Sequence, residues 1–113
     1  MSLTVQVFGP DGALEAPEPA GFQSYRTVVW GSQAARDLGA RFFPQLAFGD
    51  LRVQPGEVED FQKECALLRA HLDTIAPPDE QGRSRCETVA ERLTIIEAAA
   101  ARARSLGGGV VIS

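Results

Sequence analysis

The chain is poor in residues that hold metal ions or form disulfide bonds: it has one histidine, His71, and two cysteines, Cys65 and Cys86. Zinc sites usually take four closely spaced cysteine, histidine or carboxylate ligands, and no Cys-x-x-Cys or His-x-x-x-His pair occurs. We therefore expect no metal and no cofactor. If the chain folds back near Glu80, the cysteines are offset by about 15 Å along two helices, too far for a disulfide.

Long apolar runs and an excess of basic residues are also missing. No stretch approaches the roughly 18 apolar residues of a transmembrane helix, and the first residues lack the basic start of a signal peptide. Acidic residues outnumber basic ones by 15 to 11, for a net charge of −4. Because phosphate-binding surfaces are basic, we expect no binding to nucleic acid. The lack of a targeting or membrane segment and two cysteines expected to be reduced predict a cytoplasmic protein that does not bind membrane.

Signatures of catalysis are absent as well. The glycine triplet at residues 107–109 follows a predicted helix, whereas phosphate cradles precede one. His71 has no nucleophile beside it, because Cys65 lies on a different side of the same predicted helix. We interpret His71 as a partly exposed structural residue, and the sequence favours a non-catalytic role.

The most regular feature present is a predicted antiparallel pair of helices over residues 55–106. Apolar residues recur at steps of three and four in each half, which places them on one stripe of each helix. A linker at residues 76–84 contains Pro77-Pro78 and forces the helices back on each other. The first stripe comprises Val58, Phe61, Cys65, Leu68, Leu72 and Ile75, and the second comprises Cys86, Val89, Leu93, Ile96, Ala100 and Ala103.

Acidic residues cluster near the start of the first of these helices, after Pro55 at its first position. The positive end of the helix dipole favours acids there, so we interpret the cluster as structural. Its members are Glu57, Glu59, Asp60 and Glu64.

Three stretches alternate as β-strands do: residues 3–8, 24–30 and 110–112. Both faces of the 24–30 stretch are partly apolar, which predicts a central strand covered on both sides. Residues 51–53 form a further short extended piece. Between the first two strands we expect a turn at 9–12, a short return at 13–15 and a proline-containing loop at 16–21.

A third helix is predicted to begin at Gln33 with Ser32 as its N-cap. Ala35, Leu38 and Phe42 would form its apolar side, and Pro44 would stop or kink it. At the other end of the chain, the glycine triplet predicts a left-handed helix cap before the last strand.

These elements predict one α+β domain spanning residues 1–113. A small, mainly antiparallel sheet of N-terminal, central and C-terminal strands would pack against the helical hairpin and one further helix.

Tyr25, Arg26 and Trp30 are the candidate binding residues, because tyrosine, tryptophan and arginine are enriched where interfaces concentrate their energy. The principal hypothesis is a non-catalytic cytoplasmic protein-interaction module, such as an immunity-type or regulatory binding protein. Its partner would be another protein with a basic surface, which the acidic chain would attract.

The alternative hypothesis is a small-ligand-binding or enzymatic domain with a pocket near Tyr25, Arg26 and Trp30, in which Arg26 clamps an anion. A homodimer built on an exposed apolar face is a third possibility. For Trp30 the sequence leaves both a core and a recognition role open.

Overall fold

The computed structural model describes residues 2–113 and has an α+β architecture, which confirms the predicted fold class. A four-stranded antiparallel sheet has the strand order β2-β1-β4-β3. The strands are β1 (Ser2–Phe8), β2 (Glu18–Phe22), β3 (Leu51–Val53) and β4 (Gly109–Ile112). The α-helices are α1 (Gln33–Asp37), α2 (Val58–Ala70), α3 (Leu72–Ile75) and α4 (Cys86–Leu106). Shorter helical segments are a π-helix at Arg26–Trp30 and 3₁₀ helices at Phe43–Ala47 and Pro55–Glu57.

The sheet is organised around its two central strands, β1 and β4. Val5 lies opposite Ile112 and Val7 opposite Val110, and all four side chains are buried. This is the alternation predicted for residues 3–8, with one face of the strand in the core. The predicted strands at 110–112 and 51–53 are confirmed, and the latter pairs with β4 at one edge of the sheet.

The strand predicted at residues 24–30 is wrong: the π-helix Arg26–Trp30 occupies most of this segment. Its β-branched and aromatic residues have high strand propensity, but that preference depends on tertiary context. Here the indole N–H of Trp30 donates to the carbonyl of Ala20, and the guanidinium of Arg26 bonds to residues 46–50. These bonds to residues outside the segment hold the π-helix in place, and the segment pairs with no strand of the sheet.

The loop predicted at residues 16–21 is also wrong in part, because β2 begins at Glu18. Proline is tolerated in a strand that lies at the edge of a sheet, and β2 is such a strand. Pro19 pairs with Thr4 where the register shifts between Leu3 and Thr4. The short return predicted at 13–15 is reduced to one bridge between Phe8 and Leu14.

The third helix starts as predicted but is shorter. The hydroxyl oxygen of Ser32 accepts a hydrogen bond from the amide of Ala35, which is the expected N-cap. The helix then ends at Asp37, because Gly39 takes a φ of +96° and turns the chain. Phe42 therefore lies outside the helix, and Pro44 lies within the next 3₁₀ helix.

The predicted helical pair is present as α2 and α4, joined across their faces by Arg69. Its Nε donates to Glu97 at 3.1 Å and its Nη2 donates to Thr94 at 2.8 Å. The first helix is interrupted at His71, where φ is −129°, before the short α3. None of the helices in residues 2–113 combines the length and apolar character needed to cross a bilayer.

Glu64 differs most from its sequence interpretation. It lies seven residues into α2 and is only 8% exposed, whereas from the sequence it was assigned the same role as the acids that favour the positive end of the helix dipole. Its carboxylate accepts hydrogen bonds from the backbone amides of Arg41, Phe42 and Phe43 at 2.6–3.1 Å. The buried carboxylate thereby fixes the chain just before the Phe43–Ala47 helix.

The left-handed cap predicted at the end of the last helix is confirmed at Gly107, where φ is +73°. A Cβ at this position would meet no other atom, so the cost of Gly107→Ala is conformational. We expect the substitution to lower the free energy of unfolding by about 1 kcal/mol. The matched control is Gly56→Ala, since Gly56 also has open space but no positive φ. Urea unfolding of both variants tests this, and equal effects would contradict it.

Candidate functional site

The feature that stands out on the surface is Phe48, whose side chain is 83% exposed. It follows the Phe43–Ala47 helix, and its amide donates to the carbonyl of Gln45 at 3.0 Å. The amide of Gly49 donates to the same carbonyl at 3.1 Å. The ring therefore projects from a hydrogen-bonded helix end.

Arg26 holds the segment that carries this ring. Its Nη1 donates to the carbonyl of Leu46 at 3.3 Å and to that of Gly49 at 2.6 Å. Its Nη2 donates to Asp50 Oδ1 at 2.8 Å. The Arg26–Asp50 ion pair is exposed on the aspartate side and contributes little by itself. The two carbonyl bonds, one on each side of Phe48, fix its backbone position.

A second arginine lies against the exposed ring. The guanidinium carbon of Arg36, in α1, is 5.3 Å from the centroid of Phe48, within the range of a cation–π contact. The exposed surface therefore combines an aromatic ring, a cation from Arg36 and the carboxylate of Asp50. We call these three residues the Phe48 surface.

Of the three binding residues predicted from sequence, only Arg26 contacts this segment from a half-buried position. Trp30 is 0% exposed and Tyr25 is 3% exposed. The Trp30 ring packs on Tyr25 and, at 5.1 Å between centroids, on Phe43 at the start of the 3₁₀ helix. Burial raises the pKa of the Tyr25 phenol, an effect that the charges of nearby arginines partly offset. Trp30 and Tyr25 thus belong to the core beside the helix that ends at Phe48.

The groups with chemical reactivity lie elsewhere and are not assembled into one site. Burial raises the pKa of the Cys65 thiol, and the charges of Glu97 and Glu64 raise it further. The thiol is therefore protonated at neutral pH. Because only the thiolate is a good nucleophile, Cys65 is not a reactive cysteine. His71 lies at the break between α2 and α3. Within residues 2–113, no three histidine, cysteine or acidic side chains are grouped so as to hold a metal ion.

A groove of about 400 Å³ lies on the helical side of the sheet, away from the three predicted residues. Val5 and Val7 of β1 line it, together with α4 and residues of the chain between β1 and β2. We call it the α4 groove. The pocket predicted near Tyr25, Arg26 and Trp30 has less support, because two of these side chains are buried and the third is bonded to protein acceptors.

Sequence reasoning missed Phe48, because an exposed phenylalanine has the same local pattern as a buried one. Its position directly before Gly49-Asp50, a turn dipeptide, was the available signal. Comparison with protein-family models, with curated proteins and with solved structures finds no match.

Proposed function

We propose that the chain is a non-catalytic, cytoplasmic protein-interaction module, of the immunity or regulatory type, that binds its partner through the Phe48 surface. The observation that carries the proposal is the 83% exposure of Phe48 on a segment clamped by Arg26. Aromatic side chains are enriched at the cores of interfaces relative to the remaining protein surface. A large ring held out in solvent is therefore a candidate anchor for a pocket on a partner.

The segment that carries Phe48 is already ordered in the free chain, which supports this role. Binding costs free energy when loops or side chains must become ordered at the interface. The carbonyls of Leu46 and Gly49 are already bonded to Arg26, and the ring lies beside Arg36. The Phe48 surface would therefore lose little conformational entropy on binding.

The chemistry of the partner follows from the ring and the charge. The ring requires an apolar pocket. Asp50, although its side chain is 63% exposed, is already paired with Arg26, so the attraction of a basic partner rests on the net charge of the chain. A net charge of −4 would speed the approach of a basic protein and slow that of an acidic one.

The direct test is affinity capture from the native lysate with three baits: the wild-type chain, Phe48→Ala and Leu14→Ala. Leu14 is the matched control, because it is also an exposed apolar residue, at 58%. We expect one stoichiometric partner on the wild-type and Leu14→Ala baits, released by high salt. With the purified partner, Phe48→Ala should weaken binding by about 30-fold, the effect of losing a hot-spot residue.

Phe48→Ala should remain folded, since it loses only solvent-exposed contacts and a cation–π contact worth about 0.5–1 kcal/mol. Circular dichroism melts of the three baits check this. Equal capture of a partner by wild type and Phe48→Ala would overturn the proposal, as would the absence of any partner. If the partner is a second copy of the chain, sedimentation velocity will show a dimer that Phe48→Ala dissociates.

A further inference from the structure

The α4 groove has a largely apolar floor and one wall of unusually small side chains. Val5 and Val7 contribute the β1 side, and Ile95, Ala98 and Ala99 contribute the α4 side. Because alanine has no atoms beyond Cβ, the helix leaves space above the sheet at this point. The volume of about 400 Å³ lies within the range of about 300–1,000 Å³ that is usual for small-molecule sites.

Three charged side chains line the groove, and two of them form an ion pair with each other. Arg102 Nε donates to Glu15 Oε1 at 2.6 Å, and this hydrogen bond holds the pKa of the Glu15 carboxyl below its usual range. Glu15 is fixed further by its backbone, which bonds to Val7 and to the side chain of Gln6. The charges of Glu15 and Arg102 therefore neutralise each other.

Glu18 supplies the unmatched charge. It lines the same groove, and no ion pair to it occurs among residues 2–113. Prolines on both sides, Pro17 and Pro19, restrict its backbone, and it pairs with Val5 across the strands. An exposed carboxylate on a restricted backbone thus lies at one edge of an apolar groove without a cation from the protein.

We propose that the α4 groove binds a small organic cation, a primary ammonium carried on a short hydrocarbon chain. The ammonium would bond to Glu18, and the hydrocarbon would lie against Ile95 and Ala98, above the buried Val5 and Val7. An anion is disfavoured because two carboxylates and only one guanidinium line the groove, and that guanidinium already bonds to Glu15. The proposal concerns a different surface from the Phe48 surface and does not depend on it.

The test compares three probes of similar size and different charge: hexylammonium, hexanol and hexanoate. Each is titrated into the full chain and followed by residue-resolved amide NMR. We expect hexylammonium to bind saturably and to shift the amides of Val5, Val7 and Ile95. Hexanol should bind about tenfold more weakly, since it lacks the charge-assisted bond to Glu18, and hexanoate should not bind.

Two variants with matched controls locate the site. Glu18→Gln should reduce the affinity for hexylammonium about tenfold, to that of hexanol, whereas Glu80→Gln, at an exposed position between α3 and α4, should have no effect. Ala98→Leu should abolish binding by filling the groove, whereas Ala66→Leu, on the exposed side of α2, should not. Ala98 and Ala66 are both exposed, so both variants should fold.

Three results would overturn the proposal. Equal affinity for hexylammonium and hexanol would remove the role of Glu18, and stronger binding of hexanoate would mean that Arg102 selects anions. Amide shifts that do not saturate, or that lie outside the groove, would show that the groove is not a site for these cations. None of these results bears on capture by the Phe48 surface.

Discussion

Glu64→Gln should lower the free energy of unfolding by about 2–4 kcal/mol, although glutamine has nearly the same shape as glutamate. The carboxylate accepts from three consecutive backbone amides, those of Arg41, Phe42 and Phe43. A glutamine side chain offers only one acceptor oxygen and turns an NH₂ group toward the remaining donors. At least one buried amide would then lack a partner, which costs about 1–3 kcal/mol for each unsatisfied group.

Glu91→Gln is the control, because Glu91 lies on α4 with its side chain 67% exposed. We expect a change within about 0.5 kcal/mol there. Glu64→Ala adds a second, independent readout, because it leaves three backbone amides without their carboxylate acceptor. Acetate can supply that carboxylate, so it should raise the melting temperature of Glu64→Ala more than that of the wild type. Urea unfolding at neutral pH and acetate titrations at constant ionic strength measure both effects. Equal stability of Glu64→Gln and wild type would mean that the amides find other acceptors.

The elements with strong periodicity could be predicted from the sequence. The apolar stripes of α2 and α4 and the alternation in β1 reflect burial on one face, and burial on one face is what local patterns encode. The caps at Ser32 and Gly107 were also predictable, since each depends on one residue type at one backbone geometry. The fold class follows from these elements alone.

The segments that the sequence misassigned are those shaped by distant contacts. The alternation in residues 24–30 suits a strand, but the bonds of Trp30 to Ala20 and of Arg26 to residues 46–50 hold a π-helix. Pro19 suggested a loop, yet it fits the edge strand β2. On its outer side an edge strand has no neighbouring strand to pair with, so the backbone N–H that proline lacks is not needed there. A strand's place in the sheet depends on the whole chain, which a local pattern does not contain.

The candidate site was predictable only in part, for the same reason. Arg26 was identified by residue type, and it does contact the segment around Phe48. Phe48 itself was not identified, because a sequence does not show which of its six phenylalanines are exposed; in the structure these are Phe22 and Phe48. Glu64 was grouped with the acids at the helix start, although its hydrogen-bond partners lie more than 20 residues away in the chain.

Trp30→Ala should lower the free energy of unfolding by about 3–5 kcal/mol, the usual cost of removing a fully buried aromatic side chain. The ring contacts Tyr25 and Phe43, and a loss of that size is comparable with the whole stability of a small domain. Trp30→Phe is therefore the more informative change. It keeps an aromatic ring but removes the N–H that donates to Ala20 at 3.0 Å, so we expect a loss of about 1–3 kcal/mol.

A comparison of Trp30→Phe with Phe48→Ala separates a core role for Trp30 from a recognition role. A core residue should lose stability in Trp30→Phe while the folded fraction still binds the partner captured through Phe48. A recognition residue should show wild-type stability and lost binding. Because Trp30 is 0% exposed whereas Phe48 is 83% exposed, we expect Trp30→Phe to impair stability and Phe48→Ala to impair binding. Far-UV circular dichroism in urea, with partner affinity measured on the same samples, distinguishes these outcomes.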